Sequence, residues 1–192
     1  MSDITTVILA AGNSTRFKAS KSKLVYPLCG LPIVSHIFNI AKKISGKNIL
    51  IVSNEKNKEE LKLILNTSKL VVQKKQKGTA DAIDQVKKFI NSKNILILFG
   101  DTPLVEVKDI RKLISKFKKS KAKASLIAFN TSEPHGYGRL LLNNNYVEEI
   151  IEQINLKPEQ KKINLCNSGI LIANTKLSVS YTHLTLPTID PV

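Results

Sequence analysis

Short, almost wholly apolar runs at Thr6 to Ala10, Asn48 to Ser53, Lys69 to Gln73, Asn94 to Phe99 and Ala124 to Phe129 alternate with longer stretches in which apolar residues recur at helical spacing. Those longer stretches are Pro32 to Lys43, Glu55 to Leu65, Thr79 to Ile90 and Val107 to Lys118. A continuous apolar run suits a strand covered on both faces, whereas a period near 3.6 suits a helix that turns one side to the core. Pro32 fits a first helical turn, where its missing N–H costs nothing. The alternation predicts an α/β fold of Rossmann-like type, a mostly parallel sheet with helices on both faces. After residue 130 the rhythm changes. "EPHGYGRLLLNNNYVEEII" reads as strand, Asn-rich turn and strand, and "INLCNSGILIAN" as a strand interrupted by Asn-Ser-Gly. A regular α/β half therefore precedes a smaller, irregular β lobe, with residues 1–174 as one domain. The segment "SVSYTHLTLPTIDPV" is Thr-rich where the body is rich in Lys, Asn and Ile. We read residues 175–192 as a tail foreign to the body; an edge strand blunted by Pro187 is the alternative.

Length and composition narrow the class. The chain has 192 residues, enough for one domain with a real core. No apolar run approaches the roughly 18 residues of a membrane span, and "MSDITTVILAAG" lacks the basic start and cleavage site of a secretory leader, so a cytoplasmic protein with no membrane partner is expected. Cys29 and Cys166 have no C-x-x-C spacing, which predicts reduced thiols and no zinc site. The formal net charge of +15 invites a nucleic-acid reading. Arginine, however, occurs only at Arg16, Arg111 and Arg139, while lysine is scattered over nearly every helical segment. That pattern suits solvated faces better than a binding stripe, so no nucleic-acid partner is expected, although the charge would draw in a small polyanion.

Three stretches could carry chemistry. In "VILAAGNSTRFKASKSK" a core strand runs into Ala10, Ala11 and Gly12, whose backbone can approach a base or phosphate, and then into cations including Arg16 and Lys23. A tight strand-to-helix turn with solvated lysines explains the small residues equally well. In "ILILFGDTPLV" Asp101 leaves the carboxyl end of an apolar strand, where it could hold a hard cation such as Mg2+ or cap a turn. The phosphate-like opening stretch at the same sheet edge favours the metal. In "QKKQKGTADAI" Gln73, Gln76, Gly78 and Thr79 pass from a strand into a helix N-terminus, where Gln can pair with the edge of a pyrimidine; Thr79 as a helix cap is the plain alternative. His36 and His135 are read as structural.

Taken in order, "LAAGNSTRF" with Lys23, "QKKQKGTADA", "FGDTPLV", "GYGR" and "NSGILIAN" resemble the motif series of the bacterial N-acetylglucosamine-1-phosphate uridylyltransferases, the N-terminal pyrophosphorylase domain of GlmU-type bifunctional enzymes. The likeness runs from about Ile4 to Asn174. It implies a fold of nucleotide-diphospho-sugar transferase type, with a sugar-binding β lobe, and uridylyl transfer from UTP to N-acetylglucosamine-1-phosphate for cell-envelope precursors. It further implies that Leu9, Ala10, Ala11, Gly12, Phe99 and Gly100 line the nucleotide, and that Gln73, Gly78 and Thr79 read uracil and ribose. Asp101 would bind Mg2+, Arg16 would steady the β- and γ-phosphates, and Lys23 the reacting phosphate. Gly138, Glu152 and Asn167 would hold the sugar and its N-acetyl group.

Two departures stand out: Ser14 replaces a usual glycine, and Ser22 the proline before the key lysine. Members of that family also continue beyond this chain, supplying a second metal ligand, an acetyltransferase half and most trimer contacts, so the chain is expected to be a truncated form. A related enzyme with another base or sugar, a non-catalytic nucleotide-binding fragment and a nucleic-acid module remain as alternatives.

Overall fold

The structure, a computed structural model, describes residues 3–12, 21–67, 69–75, 78–120, 122–144, 146–178 and 189–191. In chain order it contains β1 (Ile4–Leu9), the short strands β2 (Pro27–Leu28) and β3 (Leu31–Pro32), α1 (Ile33–Ser45), β4 (Ile49–Ser53), α2 (Lys58–Leu65) and β5 (Leu70–Val72). There follow α3 (Thr79–Val86), β6 (Asn94–Phe99), α4 (Val107–Lys119), β7 (Ala124–Asn130), β8 (Arg139–Asn143), β9 (Tyr146–Ile151), β10 (Leu165–Asn174), α5 (Thr175–Ser178) and β11 (Ile189–Pro191). Each strand and helix expected from the apolar pattern is present, with ends shifted by a few residues. The largest shift is at the end of α3, which stops at Val86 rather than Ile90; α2 starts at Lys58 rather than Glu55, after a turn built by Asn54 and Asn57.

All the main strands join one sheet in the order β5-β4-β1-β6-β10-β7-β11-β9-β8. β5, β4, β1 and β6 are mutually parallel; β10 runs against both β6 and β7, and β9 against β11 and β8. The remaining strands share one direction, so the mostly parallel sheet is found. β11 lies between β7 and β9 rather than at an edge. The irregular strand expected around Asn-Ser-Gly is β10, whose register against β7 shifts between Asn167 and Leu171.

The strands of the first half are apolar on both sides because both sides are covered. On one face Ile8, Ile51, Leu96, Leu98 and Ile172 pack against Ile37 of α1, Leu61 of α2 and Leu113 of α4. On the other, Val7, Val52, Ile95 and Ile97 pack against Ala82, Ile83 and Val86 of α3. One buried polar pair bridges strand and helix: the Thr6 hydroxyl of β1 lies 2.6 Å from that of Ser45 in α1. In α4, Ile110, Leu113 and Phe117 face the core, while Arg111, Lys112, Lys118 and Lys119 are exposed, which is where the excess positive charge goes. Among the described residues no helix is long and apolar enough to cross a membrane.

The chain passes from β1 outward to β4 and β5 on one side, then crosses to β6 on the other. The order reverses beside β1. In an open parallel sheet that reversal leaves a crevice outside the carboxyl ends of the strands, here between the ends of β1 and β6.

Candidate active site

The carboxyl ends of β1 and β6 are pinned to each other and to β4. Ala10 N–H donates to Val52 O at 2.8 Å, and Gly100 N–H to Leu9 O at 2.9 Å. A side chain at position 100 would meet Leu9 O at 3.4 Å and the Ala10 Cβ at 3.5 Å, so the glycine lets the two strand ends lie close.

Beyond β1 two buried asparagines take over. Asn54 Nδ2 donates to Ala11 O at 3.0 Å, and Asn57 Nδ2 to Ala10 O at 2.8 Å. The pair is interlocked: Asn54 N–H donates to Asn57 Oδ1, and Asn57 N–H to Asn54 Oδ1, each at 3.0 Å. With both carbonyls drawn toward the β4–α2 turn, planar trans peptides aim the N–H groups of Ala11 and Gly12 the other way. Neither N–H has an acceptor among the described residues. Nothing described lies within 4 Å of where a Gly12 Cβ would stand. The result is bare backbone with two outward donors, a cradle suited to a polar base edge or a phosphate.

Lys23 opens a short 3-10 turn (Lys23–Val25) whose N-cap is Ser22, with Ser22 Oγ accepting from Leu24 N–H at 3.4 Å. The serine found where the family resemblance leads one to expect proline thus caps the turn that carries the lysine. Lys23 Nζ stands 2.5 Å from Asp101 Oδ2, and both side chains are more than a third exposed. Asp101 directly follows Gly100, and the Thr102 hydroxyl folds back to donate to Phe99 O at 2.8 Å. One carboxylate oxygen donor beside a phosphate cradle fits Mg2+, which keeps several waters and takes its remaining ligands from substrate phosphates. Among the described residues no group of three or more His, Cys, Asp or Glu side chains could form a protein-only metal cage. Arg16, Gln76 and Ser14 lie outside the described residues.

Gln73 follows β5 and is buried, with its N–H donating to Ser53 O at 2.8 Å. Its side-chain Nε2 donates to Asp81 Oδ2 at 2.6 Å and to Gly78 O at 3.2 Å. Gly78 is the N-cap residue of α3, at φ +105°, a conformation that favours glycine. Thr79 is the first helical residue and exposed; the plain alternative that it caps the helix is not what the structure contains.

The three lobe residues also meet. Asn167 N–H donates to Gly138 O at 2.9 Å, and a Gly138 Cβ would stand 3.6 Å from Glu152 Oε1. Asn167 Oδ1 accepts from Gly169 N–H at 2.9 Å. Gly169, at φ +80°, lies beneath the Phe99 ring, so close that a Cβ there would be 2.4 Å from Phe99 Cε2. The lobe is thereby packed on the end of β6. Arg139 of "GYGR" is buried and points inward: Nε donates to Ile163 O at 3.0 Å, one terminal nitrogen to Tyr137 O and the other to Gln153 Oε1 at 3.3 Å. It braces the lobe. His36 Nε2 pairs with Leu28 O at 2.8 Å, which agrees with a structural role.

Asn54, Asn57, Asp81 and Gly169 were not singled out by sequence reasoning. Asn54-x-x-Asn57 at a strand end signals an Asx turn, but nothing local in "SNEKN" says which distant carbonyls its amides hold.

The mostly parallel sheet, the bare backbone after β1 and the Lys23–Asp101 pair agree with the class the family match gives, an α/β nucleotidyltransferase domain. Residues 6–161 match the MobA-like NTP transferase domain, and the chain belongs to that family. It is 42% identical over 176 residues to the bifunctional protein GlmU of Buchnera aphidicola subsp. Schizaphis graminum, covering 91% of this chain and 38% of that protein. Likewise it is 40% identical to GlmU of Campylobacter fetus over 182 residues, covering 92% of this chain and 41% of the relative. The chain thus spans about two fifths of the length of the curated relatives it matches. A Bacillus anthracis protein described as a glucose-1-phosphate thymidylyltransferase superposes with a TM-score of 0.80 at 21% identity, over 94% of this chain and 75% of that one. An inositol-1-phosphate CTP transferase from T. maritima superposes with a TM-score of 0.73 at 18% identity, over 97% and 77%. At those identities the likeness is one of fold.

Proposed function

We propose that this domain transfers the uridylyl group of UTP to N-acetylglucosamine-1-phosphate, giving UDP-N-acetylglucosamine and pyrophosphate. The observation that carries the reading is the meeting of Lys23 and Asp101 beside the outward N–H groups of Ala11 and Gly12. The similarity to GlmU proteins supports the choice of substrates.

A phosphate oxygen of the sugar phosphate attacks the α-phosphorus of UTP, and the bond from that phosphorus to the bridging oxygen of the departing pyrophosphate breaks. No protein nucleophile is needed, so the chain acts by positioning and by neutralising charge. Leu9, Ala10, Ala11, Gly12, Phe99 and Gly100 line the nucleotide, while Gln73, Gly78 and Thr79 read base and ribose. Lys23 leaves Asp101 for the reacting phosphate, and Arg16 steadies the β- and γ-phosphates. Asp101 would hold Mg2+, which when bound would further neutralise the charge on the phosphate oxygens. Gly138, Glu152 and Asn167 hold the sugar. The setting we propose is cytoplasmic synthesis of cell-envelope precursors, without a nucleic-acid or membrane partner; the family resemblance suggests an oligomer for a longer form.

Release of pyrophosphate from UTP, dependent on both N-acetylglucosamine-1-phosphate and Mg2+, tests the reading. A stronger response to CTP or GTP would replace it with another nucleotidyl transfer. UTP binding without turnover would make the chain a binding fragment.

A further inference from the structure

The bonds around Gln73 fix more than its position. The side-chain amide has two N–H groups, and both are taken: Nε2 donates to Asp81 Oδ2 at 2.6 Å and to Gly78 O at 3.2 Å. Both partners, a carboxylate oxygen and a peptide carbonyl, can only accept. Turning the amide through 180° would set Oε1 against two oxygens and forfeit two hydrogen bonds, one of them to a charged group. The amide therefore has one orientation, and Asp81, with its shorter and charge-assisted bond, does most to hold it. What remains for a ligand is Oε1, to which no described residue donates. Gln73 is 4% exposed, so an unmatched partner there would be left without compensating water.

We propose that Asp81 is a positioning residue for base selection. By holding the Gln73 amide with its oxygen free, it makes the site accept a pyrimidine whose ring position 3 carries N–H, as uracil does, and disfavour cytosine, whose N3 offers a lone pair. This rests on the placement of the base against Gln73 proposed above. An amide free to turn would present Nε2 to cytosine as readily as Oε1 to uracil, so the discrimination lies in the lock and not in glutamine itself. Asp81 also sits in the first turn of α3, where a carboxylate favours the helix dipole. That role would alter stability and all ligands alike; it would not alter the ratio of two pyrimidines.

The test is calorimetric titration of the chain with UTP and, separately, with CTP, in the wild type, Asp81→Asn and Asp81→Ala. The wild type is expected to bind UTP about tenfold or more tightly than CTP, the discrimination typical of one unmatched buried hydrogen bond. In Asp81→Asn, whose own amide can face Gln73 either way at unchanged size, the ratio should fall severalfold, mainly through tighter CTP binding. In Asp81→Ala it should fall in the same direction. A wild-type preference for UTP that survives unchanged in both variants would overturn the role of Asp81 and leave the site reading standing. Wild-type binding of neither nucleotide, or tighter binding of CTP, would overturn the site reading and this inference with it.

Discussion

Lys23 Nζ lies 2.5 Å from Asp101 Oδ2, so the loop after β1 and the residue just beyond β6 meet across the ends of two adjacent parallel strands. Stability does not account for this. Ion pairs this exposed contribute about 0–1 kcal/mol. A polyphosphate in the cradle would compete for the lysine and release the carboxylate to a cation, which gives the pair a use in the ligand-bound state. Lys23→Ala and Asp101→Ala are accordingly expected to lower turnover by on the order of 100-fold or more, the usual effect of losing a charge-stabilising group in phosphoryl transfer. Their thermal midpoints should move by only a few degrees. Pyrophosphate release and heat unfolding of the same preparations check this; unchanged turnover in either variant would remove that residue from the mechanism. Chelation of Mg2+ should abolish wild-type turnover without unfolding the chain.

Asn54 and Asn57 hold the backbone of Ala11 and Ala10 through bonds of 3.0 and 2.8 Å, and both are almost fully buried. Asn54→Ala or Asn57→Ala leaves a buried carbonyl unpaired and breaks the interlocking turn, a loss of about 1–3 kcal/mol. Because the same carbonyls orient the outward N–H groups, the loss should extend to function. Each variant should raise KM for UTP severalfold, with a smaller change in kcat. Stability loss with KM unchanged would confine the asparagines to a structural role.

Gly169 answers to Phe99. An alanine Cβ at position 169 would stand 2.4 Å from Phe99 Cε2 and 3.0 Å from Cζ, at a φ of +80°. Gly169→Ala is therefore expected to cost on the order of 2–4 kcal/mol, part backbone strain and part displacement of the ring. Combining it with Phe99→Ala separates the two parts, since only the ring contribution can vanish. Denaturant midpoints of the single and double variants measure the coupling. An additive cycle would mean that the ring moves aside freely.

The apolar rhythm made the layers of this fold legible, because strands covered on both faces can be apolar throughout, as Ile95 to Leu98 are. The end of β1 could be read as a place of small residues: Ala10, Ala11 and Gly12 carry little or no side chain, which leaves their backbone open to close approach. The supports of that site were not. Asn54 reaches Ala11, Gly169 meets Phe99 and Arg139 turns into its own lobe through contacts between segments far apart in the chain. The residue types at these positions fit ordinary turns and surfaces equally well, and only tertiary packing assigns their partners. Ser22 illustrates the converse. In the sequence it is only a departure from the proline usual before the key lysine, whereas in the fold its hydroxyl caps the turn that presents Lys23.

The two cysteines offer a test of the lobe's packing that is independent of catalysis. Cys29 is exposed in the β2–β3 turn, and Cys166 is fully buried in β10, where burial pushes its thiol pKa up against the opposing influence of the Arg139 charge. A thiol-specific reagent should therefore modify one cysteine in the native chain and two after denaturation. The pH dependence has a definite sign. Since the folded state favours the protonated thiol, the stability linked to it is complete below the ordinary thiol pKa of about 8.5. It is lost as pH rises above that value, where the unfolded chain releases its proton first. Unfolding midpoints between pH 7 and 10 should fall more steeply in the wild type than in Cys166→Ala. Equal slopes, or rapid native labelling of both thiols, would show that β10 does not close over Cys166 as the structure has it.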